Sequence, residues 1–124
     1  MQGVARLAST WLPPLVWMAV IFTFSTRHGG GHLPTAEIVL RKLAHVTEYF
    51  VLAALLMRAL RRSRVAIAVP VAMAAALAYA ASDEWHQSFV PGRTATPRDV
   101  AIDGVGIVLA AVIATRTPLR ARLA

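Results

Sequence analysis

Between Arg6 and Arg27 the chain carries no charged side chain. As a helix rising 1.5 Å per residue, that run is long enough to cross the ~30 Å hydrocarbon layer of a bilayer. Three more apolar runs follow, from about Ile38 to Leu60, Val65 to Ser82 and Pro97 to Thr115. The helices are expected over about 8–26, 38–60, 65–88 and 97–115. The fold class this implies is an all-α membrane protein: one domain over 1–124, a four-transmembrane-helix bundle with short connections. Pro13 and Pro14 are expected near the start of the first helix, where a first turn tolerates proline.

The connections carry turn chemistry. His28 to Pro34 is glycine-rich, Arg61, Arg62 and Arg64 make a basic turn, and Pro91-Gly92 marks another. The first run has the basic start of a signal peptide but no small-x-small cleavage site, so it is read as a retained span.

Composition agrees with a lipid-covered surface. Apolar residues make up 57% and charged residues only 15%, with a mean hydropathy of +0.59. A soluble domain this small needs more polar surface than that. The net charge of +7 suits topology signals and anionic headgroups better than nucleic acid, because the cations sit at the ends of apolar runs. No nucleic-acid partner is expected. The absence of cysteine excludes disulfides and thiolate chemistry.

Counting cations in alternate connections gives the orientation. Arg6, Arg58, Arg61, Arg62, Arg64, Arg116, Arg120 and Arg122 fall on one side, eight against the five of Arg27, Arg41, Lys42, Arg93 and Arg98. The positive-inside rule places both termini in the cytoplasm of a multi-pass inner (plasma) membrane protein.

Polar residues interrupt the apolar runs in a pattern. Glu48 falls near mid-bilayer, where a charge costs about 2.5–3.5 kcal/mol and needs a partner. Arg41, His45, Glu48 and Leu52 share one helix face, with Lys42, His45 and Tyr49 as a neighbouring stripe. The third run ends in Ser82-Asp83-Glu84-Trp85-His86-Gln87, where Tyr79, Asp83 and His86 share a face. Asp99, Asp103, Gly106 and Ala110 share a face of the fourth, and Gly106 with Ala110 is a small-xxx-small pair that admits a close neighbour. Thr96-Pro97-Arg98-Asp99 reads as a capping box, so Asp99 serves either a cap or a site. With alternating helix directions these groups converge at the outer end. Trp85 and Phe89 are read as interface anchors.

These residues carry a family resemblance. Lys42 to Tyr49 is similar to the K-x-x-H-x-x-x-Y element of VanZ-like proteins. Asp83 to Arg93 resembles that family's D-E-x-x-Q-x-F-x-P-G-R element, and Asp99 to Gly106 its D-x-x-x-N-x-x-G element. Phe22-Thr23-Phe24-Ser25 resembles the end of its first helix. Asp103 departs from the pattern, which has Asn there. The resemblance implies a bacterial membrane protein of the type named for teicoplanin resistance, with a role at the cell envelope.

The expected ligand-binding site is Lys42, His45, Glu48, Asp83, Glu84, Gln87, Arg93, Asp99 and Asp103. The first reading is an extracytoplasmic-facing pocket for an anionic lipid or lipid-linked envelope precursor, with cations holding its phosphate. An alternative is an intramembrane acid/base hydrolase or transferase on a lipid-linked substrate, with His45, Glu48, Asp83 and Glu84 as catalytic candidates. A proton relay ranks third, and buried polar pairs that only join helices remain a structural alternative. No cofactor and no metal are expected. Membrane lipids are expected partners, and a homo-oligomer through an alanine-rich face is open.

Overall fold

The computed structural model describes residues 2–25, 35–90 and 97–116. They form four helices: α1 Gln2–Ser25, α2 Thr35–Arg62, α3 Ala68–Gln87 and α4 Pro97–Arg116, with no strand among the described residues. Each apolar run of the sequence becomes one helix.

The boundaries differ from the expected ones at both ends of α2 and at the starts of α1 and α3, the last beginning at Ala68 rather than Val65 because the turn after α2 runs on to Ile67. The good helix formers Ala5, Arg6, Leu7 and Ala8 extend α1 back to Gln2. Pro13 and Pro14 therefore lie inside the helix rather than near its start. Pro13 cannot donate to the carbonyl four residues earlier, that of Ser9. Nη1 of Arg58, on α2, donates to that carbonyl at 3.0 Å instead.

α2 stops without a glycine. Arg64 takes the left-handed conformation, φ 61°, while its N–H bonds to the Arg61 carbonyl and that of Val65 to the Leu60 carbonyl, each at 3.0 Å. This is a Schellman closure, here with arginine where glycine is usual. It reverses the chain into α3.

α2 packs against all three other helices, most extensively against α4. The core is built from Tyr49, Leu52, Leu56 and Met57 of α2 against small residues of its neighbours. α3 contributes Ala72, Ala76 and Ala80, each at 0% exposure and spaced by one helical turn. α4 turns Asp103, Gly106, Ala110 and Ala114 inward and Val105, Val108, Leu109, Val112 and Ile113 outward. Large apolar side chains on the outside and small or polar ones inside suit packing in lipid. An exposed apolar surface of this extent marks a membrane or partner contact.

α1 over Gly3–Phe24 and α2 over Thr35–Arg62 are long and apolar enough to cross a membrane. α3 and α4, at 20 residues each, have the length of a span at 1.5 Å per residue. Acidic residues at one end of each lower their apolar character.

Candidate functional site

The start of α2, the end of α3 and the start of α4 lie at the same end of the bundle. Inter-helix bonds fix this relation. Nζ of Lys42 on α2 lies 3.4 Å from Oδ1 of Asp99 on α4. The hydroxyl of Tyr49, buried at 0% exposure, donates to Oδ2 of Asp83 on α3 at 3.3 Å. Gln87 Nε2, one turn further along α3, donates to the same oxygen at 3.4 Å.

His45 sits between these pairs. Its Nδ1 is 3.4 Å from Oδ1 of Asp103 and 3.9 Å from Oε2 of Glu48. Asp103 is 2% exposed, so its carboxyl depends on what the bundle provides. The facing His45 and Asp103 atoms are both buried and lack an aligned hydrogen bond. They are held close by the helix packing rather than by bond geometry. Asp103 is also the position at which the chain departs from the VanZ-like motif, so the added acid faces the motif's own histidine.

The site has a layered polarity. Asp83, Glu84, Gln87 and Asp103 are buried. Above them the Lys42 and Asp99 side chains are partly exposed, at 44% and 27%. Arg41 pairs with Glu37 at 3.8 Å on the half-exposed start of α2, and Arg98 is exposed. Cations thus lie around a buried floor rich in carboxyl groups.

Most of the expected site residues are therefore at one end of the bundle, in three bonded groups: Lys42 with Asp99, His45 with Glu48 and Asp103, and Asp83 with Gln87 and Tyr49. Glu84 is buried on α3 beside Asp83. Arg93, and Thr96 of the expected capping box, lie outside the described residues. Asp99 does lie in the first turn of α4, and its bond to Lys42 adds a role across helices. Arg41 is on the expected face, yet its partner Glu37 lies one turn back on its own helix.

Three ties were not anticipated from sequence. Trp17 of α1 donates its indole N–H to the Glu48 carbonyl at 2.8 Å. Tyr79 donates to the Met18 carbonyl at 2.6 Å. His86 stacks on Phe22 with centroids 4.5 Å apart, which draws it toward α1. A tryptophan or tyrosine in an apolar run signals the first two, because its polar tip requires an acceptor when buried. Trp85 and Phe89 are exposed at 70% and 69% and meet edge to face at 5.2 Å.

Among the described residues no group of three or more acidic or histidine side chains has the spacing to hold a metal ion. Residues 8–119 match the model of the VanZ/LLP1 family. No curated protein and no solved structure gives a significant match to the chain.

Proposed function

The chain belongs to the VanZ/LLP1 family, and on that premise we propose that it is a four-span inner-membrane protein whose polar end binds an anionic headgroup. Both termini lie in the cytoplasm and the polar end faces outward. The headgroup belongs to an anionic lipid or a lipid-linked precursor of the cell envelope.

The observation that carries this reading is the layering of the site. The partly exposed Lys42, with Arg41 and Arg98 near it, can meet phosphate oxygens by charge-assisted bonds. The buried Asp83, Asp103 and Gln87 below can accept and donate to hydroxyl or amide groups of a headgroup. Lys42 is bound to Asp99 in a half-exposed pair, and exchange of such a pair for a phosphate costs little. Ionisable groups within a membrane bundle are by default functional.

Native mass spectrometry in mild detergent, with lipids from the host membrane, tests the reading. Wild type is expected to retain an anionic lipid species that Lys42→Gln and Arg93→Ala lose. Equal retention of the same lipids by all three proteins would overturn it.

A second reading has its own observation. His45 Nδ1 faces Asp103 at 3.4 Å and Glu48 at 3.9 Å, an imidazole with two carboxyl groups within reach. Bonds between catalytic groups are often poorly aligned until substrate binds. In this reading His45 acts as acid or base on a lipid-linked substrate, and Asp103 and Glu48 orient it. Chemical conversion of the bound species by wild type, absent in Glu48→Gln and His45→Gln, would favour it over simple binding.

A further inference from the structure

The opposite end of the bundle is cationic and has no acidic side chain. All six acidic residues of the chain lie in the N-terminal half of α2, the last turns of α3 or the first turns of α4. At the other end the start of α1 meets the end of α2, where two arginines of α2 donate to Ser9, whose hydroxyl donates to the Arg6 carbonyl at 3.1 Å, and a third arginine joins them through a main-chain carbonyl. Arg62 Nη2 donates to Ser9 Oγ at 3.0 Å, and Arg58 Nη1 donates to the Ser9 carbonyl at 3.0 Å. Arg6 Nη2 donates to the Arg62 carbonyl at 3.2 Å.

Each guanidinium has five N–H donors, and these three bonds engage one donor of each. Their partners are neutral oxygens, and no ion pair reaches Arg6, Arg58 or Arg62 among the described residues. Three like charges, tied to neighbouring oxygens of Ser9 and Arg62, repel each other unless an anion joins them. We propose that Arg6, Arg58 and Arg62, with Ser9, form a binding site for the phosphodiester of an anionic membrane lipid.

The surroundings favour a lipid over a free phosphate. The site lies where α1 starts and α2 ends, the two helices that are long and apolar enough to cross a membrane. Beside it α1 exposes Val4, Leu7 and Leu12, at 71%, 62% and 54%, which gives acyl chains an apolar surface below the phosphate. Planar guanidinium forks bind phosphate oxygens in pairs. The inference rests on the proposed membrane insertion but not on the headgroup site at the opposite end.

Isothermal titration of the full chain in a zwitterionic detergent tests it, with dioctanoyl phosphatidylglycerol, dioctanoyl phosphatidylcholine and inorganic phosphate as probes. Wild type and Lys42→Gln, which lacks the headgroup site proposed at the opposite end, are both expected to bind phosphatidylglycerol and not phosphatidylcholine, and the arginine variants are compared in the Lys42→Gln background. Arg6→Gln and Arg62→Gln should each weaken that binding roughly tenfold, the scale of one charge-assisted bond, and Arg62→Lys should weaken it less. Arg116→Gln, a cation at the same end outside the cluster, should leave it unchanged.

Equal affinity in that background with and without Arg6→Gln or Arg62→Gln would overturn the site. So would an equal loss in Arg116→Gln, which would mean unspecific charge attraction. Inorganic phosphate binding as tightly as the lipid would overturn the assignment to a lipid. Arg6 is exposed, so Arg6→Gln keeps the test decisive if Arg62→Gln fails to fold. Alkaline carbonate extraction of wild-type membranes tests insertion separately, because a peripheral protein would be released whatever the titration gives.

Discussion

Gly106 of α4 lies directly on the main-chain carbonyl of Val46 in α2, so closely that a methyl group in place of its hydrogen would overlap that oxygen. The same methyl would come within 3.0 Å of the Phe50 nitrogen. Both obstacles are backbone, which cannot swing aside as a side chain can. Gly106 is thus what lets α2 and α4 approach, and Asp103, one turn before it, reaches His45 across that contact at 3.4 Å. Gly106→Ala is expected to destabilise the bundle by about 1–3 kcal/mol, the usual cost of overpacking. Thermal denaturation in detergent, followed by circular dichroism, measures this. Gly104→Ala is the control: nothing lies within 4 Å of its added methyl, and alanine is the better helix former. Equal loss at both positions would mean that the close crossing does not limit stability.

The His45–Asp103 pair is expected to behave as a coupled unit. Removing one member leaves the facing atom of the other buried without its partner, and breaking a buried pair costs more than the pair itself contributes. His45→Gln and Asp103→Asn should therefore each destabilise, and the double variant should lose less than the two losses added. A coupling of ~1–3 kcal/mol is expected from a double-mutant cycle. Strict additivity would mean that the two groups do not interact.

Two tyrosines separate a bond that satisfies a buried acid from one that does not. Tyr49 donates to the Asp83 carboxyl in the core, and Tyr79 donates to the Met18 carbonyl, an oxygen that α1 supplies with its own helical donor. Tyr49→Phe should cost about 1–2 kcal/mol, because a buried carboxyl loses one of its donors while Gln87 stays bonded to the same oxygen. Tyr79→Phe should cost ~1 kcal/mol or less. Unfolding in mixed micelles gives both values, and the reverse order would contradict this account of the core.

The number of helices and the grouping of the site were legible because both follow from spacing. Apolar runs of membrane length define the helices, and Lys42, His45 and Tyr49 share a stripe wherever α2 begins. Position within a helix was less legible. Pro13 and Pro14 suggested a helix start nearby, but Arg58 lies 49 residues from Ser9, and no local pattern shows that it will serve the carbonyl that Pro13 leaves unpaired. The basic turn at Arg61 to Arg64 was legible, but the left-handed conformation of Arg64 was not, since no glycine marks it. Trp17 and Tyr79 announced a need for acceptors, but which carbonyls meet it depends on how the helices rotate against each other.

The bond from Arg58 to Ser9 makes a testable claim about Pro13. If Arg58 compensates for the proline, Arg58→Gln should cost about 1 kcal/mol in the wild-type chain. In a Pro13→Ala background the main chain regains an N–H at position 13 that can reach the Ser9 carbonyl, and the same substitution should cost only a few tenths of a kcal/mol, roughly the remaining surface-charge effect. Thermal unfolding of the four proteins gives the comparison. An equal cost in both backgrounds would sever the proposed link between the proline and the arginine.

The proposed topology can be tested with unusual economy because the chain has no cysteine. Ser63, in the turn after α2, and Phe89, just beyond α3, are exposed and lie at opposite ends of the same helix pair. Single Ser63→Cys and Phe89→Cys variants can be treated in intact cells with a membrane-impermeant maleimide. Phe89→Cys should label without permeabilisation, while Ser63→Cys should label only after it, because the arginine-rich turn is retained on the cytoplasmic side. The opposite pattern would invert the bundle and place the polar cluster in the cytoplasm. It would turn the headgroup proposal toward the inner leaflet, and move the arginine cluster to the outer one. Labelling of both sites in intact cells would instead reject a membrane crossing between them.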